Sequence, residues 1–344
     1  MEQTKNCNSA DTMNKASDKT PLGYNKPIVW VCFQPHRGAP LNTVKLTSTI
    51  MQSVARTIAL VTFLSLLSAC SIVRLGYDHG AQLTWWWLDG YVDFNREQAP
   101  HAKQAIQQWF NWHRTAQLPE YVDWLAVVRG QIDGPLTATQ ICHWSDELQG
   151  ILAPAFEQAV QLSTPVVLRL GEAQWRHLEQ RYNKSNEELR RDYLQPDLGE
   201  RRQASIKRTI KRIENLYGSI NKAQRQLIAA SIESSPFNPE IWMIERQRRQ
   251  QETLRILRQL TPEFATHEQA ITALQTLIEH THRSNDPDYR AYQLKLSAHT
   301  CAFIAHMHDS TTPTQRQHAH DKLKKWETDL RALMIKNSMH TALE

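Results

Sequence analysis

Beyond Cys70, apolar residues return every three or four positions, the spacing of a helix that buries one face. Ile106, Trp109, Phe110 and His113 share one such face, and Tyr121, Trp124, Leu125 and Val128 share another. Ile206, Ile210, Ile213, Leu216 and Ile220 draw an apolar stripe through an otherwise basic segment, and Ile241, Ile244, Leu254, Leu257 and Leu260 mark a further one. Few stretches alternate apolar and polar residues as a half-buried strand requires. The pattern predicts an all-α protein, an elongated helical bundle or array of amphipathic helices.

Helix starts are marked by a recurring device, a capping residue followed three positions later by glutamine. It occurs at Asn95-Arg-Glu-Gln98, Thr137-Ala-Thr-Gln140, Asn221-Lys-Ala-Gln224 and Thr312-Pro-Thr-Gln315. The capping side chain accepts from an orphan backbone N–H, and the glutamine reaches back to the N–H of the cap itself. Thr261-Pro262-Glu263 and Thr312-Pro313 place proline at a first helical position, where its missing donor costs nothing. The starts lie roughly 40 to 50 residues apart, the range of helical-hairpin repeats, but no wider consensus recurs. Two prolines in Ser234-Ser-Pro-Phe-Asn-Pro239 interrupt the pattern. They suggest an N-terminal helical region over 70–233 and a C-terminal one over 234–344.

Upstream the pattern changes. Residues 1–50 carry four prolines and many Asn, Ser, Thr and Lys without helical periodicity, as a disordered leader would. Met51 to Cys70 reads as a lipoprotein export signal. A short segment ending in Arg56 precedes an apolar run over 57–66, too short for a comfortable bilayer span. Leu67-Ser68-Ala69-Cys70 then forms a lipobox, with small residues before the thiol that is to be acylated. The expectation is that 51–69 is the signal peptide, that Met51 is the true initiator, and that 1–50 comes from an upstream start. Ser71 stands where aspartate would signal retention in the inner membrane, so passage to the outer membrane is expected.

Charge sharpens this picture. The net charge of +5 invites a nucleic-acid reading. Yet the residues before Cys70 hold seven Lys and Arg against three Asp and Glu, which leaves 33 and 32 after them and a net charge of only +1. A nucleic-acid-binding domain carries a localised basic excess, so no nucleic-acid partner is expected. None of the five cysteines has metal-type spacing. In an exported chain Cys142 and Cys301 would either pair as a disulfide or sit as small buried hydrophobes.

Leu88-Asp-Gly-Tyr-Val-Asp-Phe-Asn-Arg-Glu-Gln98, Trp109-Phe-Asn-Trp-His-Arg114 and Leu118-Pro-Glu-Tyr121 together resemble a family of uncharacterised helical lipoproteins of Gram-negative bacteria. Its marks are a lipobox, an aromatic-rich stretch and the segments LDxYxDhxxxQ and WHRxxxLPxY, and the similarity runs from the lipobox to about Leu260. Phe94 departs from it where an aliphatic residue is usual. The resemblance implies an all-helical outer-membrane lipoprotein and brings no established activity.

Four constellations have chemical potential. Trp85-Trp86-Trp87 lies close to the anchor, and three consecutive indoles point around nearly a whole helix. At least one is therefore expected to meet lipid headgroups or a partner. Asp89, Asp93, His113 and Arg114 read either as acid, base and partner in a hydrolase or, the preferred expectation, as a polar network joining two helices. Seven histidines between His280 and His320 scatter over different faces without metal-ligand spacing, so no metal and no cofactor is expected. The basic run from Arg190 to Arg212 is interleaved with Glu and Asp, as on a solvated face laced with ion pairs. No phosphate loop, no G-x-S-x-G and no zinc-type cysteine pairing is present. The expected role is that of a lipid-anchored, periplasm-facing protein with non-catalytic binding or structural work in the envelope. The membrane is met through acylated Cys70, and the further protein or envelope partner is open. The alternatives are a membrane-tethered helical chaperone and an envelope hydrolase using Asp89, Asp93 and His113.

Overall fold

The computed structural model describes residues 72–341 apart from 262 and 264, and all of its regular elements are helical. The leader, the signal segment, the lipobox residues Leu67, Ser68 and Ala69, and Cys70 lie outside the described residues. In chain order the helices are α1 (Ile72–Asp78), α2 (Gly80–Val92) and α3 (Gln98–Trp112). A π-turn over His113–Gln117 leads into α4 (Leu118–Gln131), followed by α5 (Ala138–Val167), α6 (Glu172–Tyr193) and α7 (Leu198–Tyr217). The remaining helices are α8 (Lys222–Ser234), α9 (Pro239–Gln259), α10 (His267–His282), α11 (Pro287–Asp309) and α12 (Pro313–Thr341).

Glutamine boxes set where these helices begin. Thr137 with Gln140 and Asn221 with Gln224 form the reciprocal pair of hydrogen bonds. Asn95 with Gln98 and Thr312 with Gln315 do the same. One expected start moves: α10 begins at His267 rather than after Thr261, because Thr266 and Gln269 make the box. The Thr261 carbonyl instead takes the Ala265 N–H in a turn. α5 runs through both Pro154 and Pro165, held by the packing of α3, α10 and α11 along its length.

Two apolar stripes become core directly. Leu125 and Val128 of α4 pack with Ile132, Leu136, Ile141, Tyr217, Ala305 and Leu323, so this cluster draws on α4, α5, α7, α11 and α12. Ile206, Ile210 and Ile213 of α7 lean on Ile228 and Met307, both fully buried. The stripe on α9 holds only in part. Leu254, Leu257 and Leu260 are buried against Leu170, Trp175 and Leu178, but Ile241 and Ile244 are exposed. The C-terminal turns of α9 have α6 and α10 to pack on, whereas its first turns present these two isoleucines to solvent. The break at 234–239 is the connection between α8 and α9, and α12 packs back on α4.

The four capping glutamines that are buried do more than cap. Gln98 donates from Nε2 to the Arg169 carbonyl at 2.7 Å, while Gln174 donates to the Asp93 carbonyl at 3.3 Å. Gln224 donates to the Ser310 carbonyl at 3.0 Å, and Gln315 to the Ser219 carbonyl at 2.8 Å. In every case the acceptor lies two residues before the partner helix's capping position. Two helix starts are thus clasped to each other twice over, α3 with α6 and α8 with α12. The turns entering α3 and α8 each contain a positive φ, at Asp93 and at Gly218. Each lies one or two residues before the cap's predecessor and swings a carbonyl toward the partner glutamine.

Disulfide geometry joins Cys142 on α5 to Cys301 on α11, 159 residues apart, inside the first core cluster.

Candidate functional site

The two motif segments meet around His113. α3 would continue straight into α4, but a π-turn intervenes, one residue per turn wider than an α-helix. Within it the Thr115 hydroxyl bonds the carbonyls of Asn111 and Trp112 at 3.2 and 3.1 Å. His113, the first residue of this turn, points inward and is 8 % exposed. The imidazole stacks on Trp109 with centroids 4.4 Å apart and meets the edge of Tyr121 at 5.4 Å. Its Nδ1 bonds the Tyr77 hydroxyl of α1 at 2.8 Å. Arg114 turns the other way, toward Asp78 at 3.7 Å and over the Tyr77 ring. α1 is held to the body a second time by Arg74, whose Nε bonds the buried Asp329 of α12 at 2.8 Å.

The expected network of Asp89, Asp93, His113 and Arg114 is therefore divided. His113 and Arg114 are partnered by Tyr77 and Asp78, neither of which carries a motif signal. Asp89 accepts from the Phe94 N–H at 3.2 Å and closes the end of α2. Asp93 sits in the left-handed region at φ 57° and contributes its backbone carbonyl to Gln174. The reason is local: a helix that must reverse before Asn95 uses its last acidic residues on its own turn. Tyr77 lies 36 residues before His113, beyond any helical periodicity that could have linked them.

Electrostatics at this centre favour neutrality. Burial lowers the pKa of His113 to about 4, and burial raises that of Tyr77 to about 12, with Arg114 opposing the rise. An unfolded chain binds a proton at His113 near pH 6.5, whereas the folded one binds it only near pH 4. The stabilisation from the neutral imidazole is therefore complete above about pH 6.5 and lost as pH falls toward 4, by up to roughly 3 kcal/mol. Urea titrations between pH 7 and 4.5 are expected to show this loss, and His113→Gln to flatten the slope. Buried His308, lowered by the same cause, adds a slope of the same sign that survives in the variant.

The three tryptophans separate by role. Trp85 stacks on Phe94 and carries Lys103 over its ring. Trp86 and Trp87 are 61 % and 60 % exposed, and Leu83 beside them is 49 % exposed. Leu83, Trp86 and Trp87 stand at i, i+3 and i+4, so α2 shows an outward apolar face.

Other candidates resolve into structural partnerships. His280 bonds Glu252, His299 the Ser231 carbonyl and His318 the Leu216 carbonyl, while His308 bridges Tyr217 and the Gly134 carbonyl. No group of three or more His, Cys, Asp or Glu among the described residues is arranged to hold a metal. The basic run finds partners on neighbouring helices: Arg201 pairs with Glu240, Arg202 with Glu233, and Arg208 covers Tyr193. A buried polar centre missed in the sequence links Glu245 to Arg248 at 2.6 Å and to Ser284 at 2.7 Å, with Arg249 nearby. Its residues are spread over α9 and the turn before α11, and only the i, i+3 spacing of Glu245 and Arg248 hinted at it. It borders a cavity of about 660 Å³ that also includes Phe156, His282 and Arg290.

A model of the family described as "Family of unknown function (DUF6279)" matches residues 90–290, more than half of the chain. That span begins inside the first motif and runs past Leu260 through α10 to the start of α11. No curated protein and no solved structure matches the chain.

Proposed function

We propose, for a chain that belongs to the DUF6279 family of unknown function, that it is a lipoprotein of the outer membrane, acylated at Cys70 and facing the periplasm. On this reading its work is non-catalytic binding or scaffolding in the envelope, with α2 resting on the lipid headgroups. The observation that carries the reading is the outward face of Leu83, Trp86 and Trp87, within the first twenty residues after Cys70. Amphipathic indoles favour the headgroup layer, and an acyl anchor brings that layer next to them. Pairing of Cys142 with Cys301 also suits an oxidising compartment. No helix among the described residues is long and apolar enough to cross a membrane. Attachment on this reading therefore depends on the lipid and the α2 face. For the hydrolase alternative, Asp89 Oδ1 accepts from the Phe94 N–H and His113 Nδ1 bonds the Tyr77 hydroxyl, which favours the non-catalytic reading.

Mass spectrometry of the N-terminal peptide from native membranes tests the anchor: a triacylated peptide starting at Cys70 is expected, and its loss in Cys70→Ala. An unlipidated Met1 terminus would sink the reading. Contact by α2 is tested separately, in Cys70→Ala protein floated with phosphatidylethanolamine–phosphatidylglycerol vesicles. Trp86→Ser with Trp87→Ser is expected to lower partitioning at least about tenfold, at roughly 25 cal/mol per Å² of apolar surface. Equal flotation of both proteins would remove the α2 face from the proposal.

A further inference from the structure

α2 has a second face. Roughly a third of a turn round the helix from Leu83, Trp86 and Trp87, it turns Thr84 and Leu88 toward a cavity of about 420 Å³, within the roughly 300–1,000 Å³ of ligand sites. Ile106, Trp109 and Phe110 of α3 form another wall, and Ala159 and Leu162 of α5 a third. The predicted apolar face of α3 thus faces a cavity with the His113 centre at one end. Close approach of α2 to α3 shapes it as well, since a Cβ at Gly80 would stand 2.5 Å from the Phe110 ring.

The lining admits no ionic ligand group without a penalty. The Tyr77 hydroxyl and His113 Nδ1 are spent on each other, and Trp109 Nε1 donates to the Ala155 carbonyl at 2.9 Å. Ser163 bonds the Val160 carbonyl of its own helix at 3.4 Å. None of the lining residues is an Asp, Glu, Lys or Arg. A charge placed inside would find no counter-charge, whereas a methylene chain loses nothing by entering. By contrast, the larger cavity near Glu245 is lined by Glu157, Glu279, Arg283 and Arg290, charges that an acyl chain would have to desolvate.

We propose that this cavity receives one acyl chain of a bilayer lipid, passed along the flank of α2 from the membrane on which its outer face rests. The inference rests on the membrane-side reading of α2, because that reading places the source of acyl chains beside the cavity. It makes the protein a lipid-binding envelope component as well as a lipid-anchored one.

The test uses the full chain in phosphatidylethanolamine–phosphatidylglycerol vesicles containing a phospholipid with a diazirine on one acyl chain. Irradiation and peptide mass spectrometry are expected to find adducts on Leu88, on Ile106 to Phe110 and on Leu162. Ala105→Phe and Ala159→Phe fill the cavity from opposite walls, and each is expected to cut these adducts at least fivefold while leaving those at Trp86 and Trp87. Melting curves show which filled variants fold. If neither does, an excess of unlabelled palmitoyl lysophospholipid must suppress the cavity adducts of the native chain by the same factor. In a series of soluble lysophospholipids, affinity is expected to rise about fourfold per methylene until the cavity is full and then level off. Adducts at Trp86 and Trp87 without cavity adducts overturn the proposal and leave the membrane-side reading standing. Cavity adducts from soluble lysophospholipid on Cys70→Ala protein, with none at Trp86 or Trp87 in vesicles, keep a lipid site but overturn delivery from the bilayer. Cavity adducts that appear only when Cys70 is replaced identify the protein's own anchor as occupant and overturn the proposal too.

Discussion

Gln224→Leu is expected to destabilise the protein by about 3–5 kcal/mol, although it substitutes an apolar side chain into a buried position. Gln224 is 1 % exposed. Its Oε1 accepts from the Asn221 N–H at 3.0 Å and from Gln315 Nε2 at 3.0 Å. Its Nε2 serves the Ser310 carbonyl and Gln315 Oε1 at 3.0 and 2.8 Å. Leucine would remove the partner of the Asn221 N–H and of the Ser310 carbonyl and leave the Gln315 amide only its bonds to Ser219 and Thr312, at roughly 1–3 kcal/mol for each buried group left unsatisfied. The control is Gln140→Leu, the same substitution in the same kind of box. Gln140 is exposed and water replaces its bonds, so a loss of about 0.5–1 kcal/mol is expected. Thermal unfolding followed by circular dichroism reads both, with Gln224→Leu lowering Tm by roughly 6–15 °C. Equal effects at the two positions would mean that the clasp adds nothing to the cap. Gln315→Leu combined with Gln224→Leu should cost less than the two single changes added, because the same bonds are broken in each.

Removing the disulfide is the second large effect. Cys142→Ser with Cys301→Ser is expected to cost about 2–5 kcal/mol, since a crosslink across 159 residues withdraws much freedom from the unfolded chain. The loss also falls where packing is dense: Cys301 is 4 % exposed among Leu125, Ile141 and Ala305, and α5 and α11 lie far apart in the chain. Unfolding of the native protein in dithiothreitol should reproduce the variant's Tm. A variant as stable as the oxidised native protein, or no response to reductant, would show that the two thiols contribute only as buried hydrophobes.

These two expectations differ in how far they were visible beforehand. The glutamines at 98, 140, 224 and 315 stand out in sequence as boxes, because a cap and its glutamine are three residues apart and interact before any tertiary structure exists. Gln269 after Thr266 carries the same signal, and Gln174 after Gly171 its glutamine half, with no side chain at the cap to answer it. What sequence could not show is that four of the six are buried and clasped in pairs. Gln98 and Gln174 are exchanged across α3 and α6, and Gln224 meets Gln315 from 91 residues away. Cys142 and Cys301 were likewise legible as candidates, while their pairing required α5 and α11 to be brought together.

By itself the sequence determined the helical class, the starts of α3, α5, α8 and α12 and the apolar faces of α3, α4 and α7. These follow from interactions between residues three and four apart, which any short segment carries with it. Tertiary structure decided which of those faces close a core and which do not, leaving Ile241 and Ile244 outside while Leu254 and Leu257 went in. It gave His113 to Tyr77 and Arg114 to Asp78, and spent Asp89 and Asp93 on a turn. It also sorted Trp85 inward from Trp86 and Trp87 and opened the cavity beside them. Such choices depend on which helices become neighbours, and that is settled by burial summed over the whole chain rather than by any spacing within it.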